Sequence, residues 1–253
     1  MRKKILLLIC FSFLSSYTFA QDRKNIKDTL HINNAISATN NGISLIPTFS
    51  LGKPATIFDI SVGNNRFSFD PQLRFAIEDA KPWSFVFWLR YKLIESKKFK
   101  LSIGGHPSFV FQSTPAIVNG VSKEIITTKR FLASELVPTY SINKKISLGF
   151  YYLYVHGLAD ATKNTHFISA NGYVTLNHFI SNYNLKFIPQ LYYLKMDDLG
   201  GFYTTSTIIL SKNKFPFSVS STINKTIHSS ILSKDFVWNI SLIYSFGKKY
   251  VVL

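Results

Sequence analysis

Apolar and polar residues alternate one by one along most of this chain. A period of two commits it to extended strands, because a helix repeats its apolar face every 3.6 residues. From Arg66 to Ile77, Phe67, Phe69, Leu73, Phe75 and Ile77 share one face, and Arg66, Ser68, Asp70, Gln72 and Arg74 the other. From Trp83 to Leu93 the apolar face is Trp83, Phe85, Phe87, Leu89, Tyr91 and Leu93. Near the end, Phe236, Trp238, Ile240, Leu242, Tyr244 and Phe246 alternate with Val237, Asn239, Ser241, Ile243 and Ser245. Similar runs lie near 43–51, 55–62, 99–111, 126–141, 145–156, 166–180, 184–194, 202–210 and 215–223, which makes twelve expected strands.

The apolar fraction, 46%, excludes intrinsic disorder. No segment beyond the leader supplies the roughly 20 uninterrupted apolar residues of a membrane-spanning helix. The best one, Pro82 to Leu93, carries Arg90 and Lys92. Residues 1–20 read as a cleaved signal peptide: Arg2, Lys3 and Lys4 precede an apolar stretch, and Ala20 closes a small-residue cleavage site. Its removal takes three positive charges from the net +16 and also Cys10, the only cysteine. An exported chain without thiols has no disulfide or cysteine metal site to stabilise it.

Alternation alone fits a soluble sandwich, with the apolar face in a core, or a membrane barrel, with that face towards lipid. Three features favour the barrel. Short joins (63–65, 94–98, 142–145, 181–183, 211–214) alternate with longer ones (112–124, 157–165, 195–201, 224–235), as expected of periplasmic turns and outer loops. The segments are longer than the roughly 5–6 residues of soluble strands. Trp and Tyr gather near segment ends (Trp83, Tyr91, Tyr140, Tyr154, Tyr193, Trp238, Tyr244), the level that headgroups occupy.

With its leader, its alternating strands and the aromatic-ended final strand Ile240 to Phe246, the chain resembles the small outer-membrane β-barrel proteins of Gram-negative bacteria. The resemblance implies an all-β, antiparallel up-and-down transmembrane barrel in the bacterial outer membrane. It is one of architecture and transfers no site residue. The expected layout is a signal peptide (1–20), a polar periplasmic segment (21–41), the barrel (42–246) and a C-terminal tail (247–253). A short plug entering the lumen is the alternative for 21–41. Five prolines (Pro47, Pro71, Pro107, Pro138 and Pro189) are expected on the outward face, where bulges would absorb the lost ladder hydrogen bonds.

With the apolar faces outward, Asp59, Arg66, Asp70, Arg74, Arg90 and Lys92 should line the lumen, together with Lys100, Glu135, Lys186 and His106. In one reading these charges pair across neighbouring strands, Asp70 lying between Arg66 and Arg74. In the other the lumen is wet and the surplus of guanidinium groups biases it towards anions. The inward rings Trp88, Tyr151, Tyr173 and Tyr192 would narrow it. Strand-borne catalysis would need Ser and His two apart, and His106-Pro107-Ser108 is the pair with that spacing. Outer-membrane phospholipase A and the lipid A deacylases follow such a pair with Asn, where this chain has Phe109. His166 and Ser169 are three apart and fall on opposite faces.

No metal-ligand spacing, cofactor motif or nucleic-acid motif accompanies the basic residues, which are scattered over turns. The leading expectation is a small-solute channel or ligand-binding barrel with weak anion preference. Its partners would be outer-membrane lipid and a small anionic solute. A non-conducting barrel with an envelope protein partner and a lipid hydrolase using His106 and Ser108 are the alternatives.

Overall fold

The computed structural model describes residues 29–118, 121–159 and 161–251. The expected signal peptide, with Cys10, and residues 21–28 lie outside the described residues. Twelve antiparallel strands close into one barrel. They are β1 (Thr29–Thr39), β2 (Ala55–Gly63), β3 (Phe67–Ala76), β4 (Pro82–Glu95), β5 (Phe99–Val118) and β6 (Val121–Ser141). The remainder are β7 (Ile146–Leu158), β8 (Asn164–Ile180), β9 (Tyr183–Met196), β10 (Leu199–Lys212), β11 (Phe217–Ser229) and β12 (Phe236–Val251). Each strand pairs with its sequence neighbours, and β1 pairs with β12 to close the ring. Closure leaves no unpaired edge, which is what a sheet needs in hydrocarbon. Among the described residues no helix is long and apolar enough to cross a membrane.

The faces lie as the alternation requires. Leu132, Leu191 and Leu242 stand outward, each half exposed or more (50%, 55% and 52%), while Glu135, Ser169 and Asn171 are buried inside. So broad a belt of exposed apolar side chains exceeds what a soluble protein carries, and acyl chains are its natural solvent. Aromatic rings flank the belt. Phe215, Phe217, Tyr244 and Phe246 form a chain of ring contacts at the end that holds both termini, and Tyr154, His166, Tyr193 and Phe202 lie towards the opposite rim.

Joins at the terminus-bearing end are tight, and two are built by asparagine. Asn64 Oδ1 accepts the N–H groups of Arg66 (2.9 Å) and Phe67 (2.8 Å). Asn143 Oδ1 does the same for Lys145 (2.8 Å) and Ile146 (2.9 Å). Such side chains mimic a backbone turn. This end is the periplasmic one in a barrel of the bacterial type, and the other end carries the outer loops.

Four expectations are corrected here. The barrel begins at Thr29, not at residue 42: Leu30, Ile32 and Ile36 face outward along β1, with Asn34 the one polar interruption. Second, the run at 43–51 is no strand. Pro47–Phe49 forms a single 3-10 turn, and the segment folds into the lumen, where Ile46 is 4% exposed and Phe49 meets Phe131 at 5.1 Å. The expected number of strands is right only because this false strand replaces the missed β1. Third, Gly247 to Val251 is no tail: it continues β12 and pairs with Asn33 back to Thr29. Fourth, the expected outer loops at 112–124 and 195–201 are mostly strand, since β5 runs to Val118 and β6 starts at Val121, and only Asp197 and Asp198 separate β9 from β10.

Candidate functional site

The segment between β1 and β2 divides the lumen. Above it lies an outer chamber of about 840 Å³ bordered by Lys53, Lys81 and Glu124. Below it lies an inner chamber of about 710 Å³ bordered by Asn33, Asp59, Asp70, Arg90 and Ser245. Between the two, beneath Ile46 and Phe49, is a smaller cavity of about 240 Å³ lined by Arg74, Ser84, Trp88, Arg90 and His106.

A local irregularity fastens the dividing segment. Arg74 pairs with Ser84 but Phe75 pairs with Pro82, so Trp83 is an extra residue in β4. Bulges re-aim side chains, and here the indole turns inward instead of outward as the alternation had it. Trp83 is 2% exposed and its Nε1 donates to the Phe49 carbonyl at 2.8 Å. The Arg74 guanidinium lies over the same ring, 5.3 Å from its centroid. Across the lumen, Phe167, Tyr192 and Tyr203 stack at 4.8 and 4.9 Å, and Asn224 Nδ2 donates to the Tyr192 hydroxyl at 2.7 Å. These rings pack into the same buried cluster as Ile46, Trp88 and Phe131, and a further cavity of about 200 Å³ lies beside Tyr192, Asn224 and Asn239.

The wall from β2 to β7 carries a connected polar network. Arg90 Nε donates to Glu135 Oε1 at 2.7 Å and its Nη1 to Asp70 Oδ2 at 3.0 Å. Tyr151 donates to the other Glu135 oxygen at 2.8 Å, while Ser61 and Ser68 donate to Asp70 at 2.6 and 2.9 Å. Arg74 Nη2 reaches Gln72 Oε1 at 2.9 Å, and Gln72 Nε2 passes the contact on to Asp59 at 2.8 Å. Arg90 also stacks 4.2 Å from the centre of the Trp88 ring, whose edge meets His106 at 4.0 Å. Charge-assisted bonds of this kind hold the guanidinium planes in fixed orientations.

Of the six residues expected at the site, Asp59, Asp70, Arg74 and Arg90 come together in this wall. Arg66 does not: it sits in the β2–β3 turn, where its Nη1 points to the outward Tyr91 hydroxyl at 3.5 Å. The alternation is extended one residue too far there, into the Asn64 turn. Lys92 lies lower, half exposed, beside Glu95 at 3.4 Å. The partner expected for Asp70 is also corrected, since it pairs with Arg90 rather than Arg66 or Arg74. Ser61, Gln72 and Tyr151 complete the network on the inward parity of their strands. Trp83, Ile46 and Phe49 were not legible, because a bulge and a non-strand insertion place them.

His106 and Ser108 share the inward face, as their spacing requires, and both line the small cavity. They therefore look into the lumen rather than towards acyl chains. No hydrogen bond joins them among the described residues. Among those residues no group of three or more His, Cys, Asp or Glu is placed to hold a metal ion.

No protein-family model and no curated protein matches this chain. Solved structures share its fold. The KdgM porin in complex with disordered oligogalacturonate superposes with a TM-score of 0.53 at 12% identity, covering 85% of this chain and 99% of that one. A second KdgM porin structure gives 0.50 at 13% identity, covering 85% and 99%. The NanC porin gives 0.48 at 12% identity, covering 87% and 100%. The chain thus shares the closed β-barrel fold of these porins and carries an apolar exterior suited to lipid.

Proposed function

We propose that this barrel passes or holds small solutes at the outer membrane, and that the inward segment between β1 and β2 sets the constriction. One observation carries the reading: chambers of about 840 and 710 Å³ lie towards opposite ends of the barrel, on either side of a level where the inward segment packs with Trp88, Phe131 and the Phe167, Tyr192 and Tyr203 rings. Eight strands leave room mainly for side chains and sixteen leave an open channel, so a twelve-strand wall needs such an insert to become selective.

The charge arrangement supports a local rather than a general anion preference. Arg66 leaves the lumen, and Arg90 is matched by Asp70 and Glu135. At the dividing level Arg74 and Arg90 border the small cavity, while the carboxylates that answer them, Asp59, Asp70 and Glu135, stand outside its lining. Basic side chains lining a narrow passage favour anions there. That a barrel of the same fold was solved with an acidic oligosaccharide is consistent with a small anionic solute for this one.

The test is conductance across planar bilayers. The wild-type protein should give discrete steps with chloride favoured over potassium, and replacing residues 43–51 by a short Gly-Ser linker should enlarge each step. Silence from both proteins would point instead to a non-conducting barrel that acts through an envelope partner, a reading the close packing of Phe49 on Phe131 favours.

A further inference from the structure

We propose that the small cavity beneath Ile46 and Phe49 is a binding site for a small hydroxylated carboxylate, held by Arg74, Ser84 and His106. The inference rests on the solute-handling reading above and names the solute class. Three buried polar atoms have no hydrogen-bond partner among the described residues at this place: Arg74 Nε, Ser84 Oγ and His106 Nδ1. All three residues line the same cavity. Buried polar atoms are almost always satisfied, and an orphan costs free energy. The three side chains that carry them border one space, so a single occupant that draws them in satisfies them together.

The donor set specifies the chemistry. Arg74 Nε–H can only donate and carries positive charge. Its Nη2 is already committed to Gln72, which fixes the plane of the guanidinium. Arg90 also borders the cavity, but its Nε and Nη1 are taken by Glu135 and Asp70, so the guanidinium without a direct carboxylate partner there is Arg74. A single carboxylate on Arg74 Nε is therefore the charge match the cavity offers. The Ser84 hydroxyl and His106 Nδ1 can each donate or accept, as can Ser108 nearby, so a ligand hydroxyl finds a partner beside the carboxylate. The remaining lining includes Val86, Val110 and Leu153, which would give nothing to an inorganic oxyanion but would cover the carbon atoms of an organic one. The volume, about 240 Å³, suits a single small acid.

Lactate is the probe, with lactamide as its uncharged analogue, each titrated into the refolded full-length mature barrel in detergent and followed by saturation-transfer NMR of the methyl group. Lactate should bind saturably and lactamide at least tenfold more weakly. Arg74→Gln should abolish the lactate signal, and Ser84→Ala and His106→Gln should each weaken it several-fold with unchanged circular dichroism. Should Arg74→Gln fail to fold, the other two variants carry the comparison. Equal binding of lactate and lactamide, or lactate binding indifferent to Ser84→Ala and His106→Gln, would overturn the site, as would a crystal structure grown in lactate with only waters in the cavity. Bilayer recordings separate this from the channel reading. Lactate binding by a silent barrel would keep the site and remove the channel, whereas conductance without lactate binding would keep the channel and remove the site.

Discussion

Arg90 reaches Glu135 directly over Gly104, the β5 residue that pairs with both of them. A Cβ at position 104 would lie 2.8 Å from Glu135 Oε1 and 3.1 Å from Arg90 Cγ. Glycine is therefore required for a side-chain bridge that crosses an intervening strand. Gly104→Ala should push the two groups apart and cost about 1–3 kcal/mol, the usual range for overpacking a tight site. Urea unfolding from detergent micelles reads the difference, and a change below about 0.5 kcal/mol would mean that the bridge relaxes freely.

Glu135 is the more deeply buried partner, its side chain only 2% exposed against 33% for Arg90. Glu135→Gln keeps the shape and removes the charge, leaving Arg90 with Asp70 alone. A loss of about 1–3 kcal/mol is expected, at the lower end because the inner chamber lets water reach the guanidinium. In bilayers the same variant should raise chloride selectivity, since the level of the divide gains one net positive charge. Unchanged ion selectivity would show that ions do not pass this wall.

Leu191 stands on the outward face near the middle of β9, and Gln190 beside it faces the lumen, where its Nε2 donates to Ser169 at 2.9 Å. Leu191→Arg should cost about 2–4 kcal/mol in phospholipid, as charged residues do at the midplane of a barrel's lipid face. Gln190→Arg should cost less and instead alter conductance. Refolding titrations into vesicles compare the two. The reverse ranking would place the lipid on the wrong side of the sheet.

Most of this barrel is written in its alternation, because a wall one residue thick has two environments and each side chain sees one of them. Asp59, Asp70, Arg74 and Arg90 are placed in the lumen by parity alone. The same rule fails where parity has another cause. Ile43, Leu45, Pro47, Phe49 and Leu51 alternate with Ser44, Ile46, Thr48 and Ser50 as cleanly as any strand, yet the segment leaves the wall at Asn40 and packs inside it. Conversely β1 hides because Asn34 and Ala38 dilute its outward face. Periodicity records two environments but not whether the apolar one is lipid or a lumen-filling cluster. Trp83 and Arg66 are misplaced for a related reason: a bulge and a turn each shift the count by one.

Outside the membrane, Lys81 Nζ lies 2.5 Å from Glu124 Oε2, joining the β3–β4 loop to the protruding β5–β6 hairpin. The hydrogen bond to Glu124 raises the Lys81 pKa, and the bond to Lys81 lowers that of Glu124. The raised lysine keeps its charge until pH passes above its folded value, and the depressed carboxylate keeps its own until pH falls below its folded value. The tether is therefore complete across neutral pH and is lost first on acidification, when Glu124 protonates. Both groups are exposed, so added salt should weaken it. Amide exchange along 113–118 and 121–127 should accelerate as pH falls through the acidic range, after correction for intrinsic rates, and in Lys81→Ala at neutral pH. Exchange in the variant equal to wild type would show that the hairpin stands without the tether.

The inward segment is held by few polar contacts, and the Trp83 indole supplies the one that joins Phe49 to the wall of β4. Trp83→Phe keeps an aromatic ring under Arg74 but removes the Nε1–H donor and part of the buried ring, leaving the Phe49 carbonyl to find water. The Phe49 N–H remains bonded to Ile46 O at 3.0 Å, so the 3-10 turn itself should survive. Loss of one such bond is worth about 1 kcal/mol, which is roughly a fivefold rise in the population of segments swung out of the lumen. Two readouts should move together: faster exchange of the amides between Ile46 and Leu51, and a larger open fraction in bilayer recordings. Faster exchange with unchanged conductance would separate the segment's motion from solute passage, and the constriction would then have to lie in the Phe167, Tyr192 and Tyr203 stack.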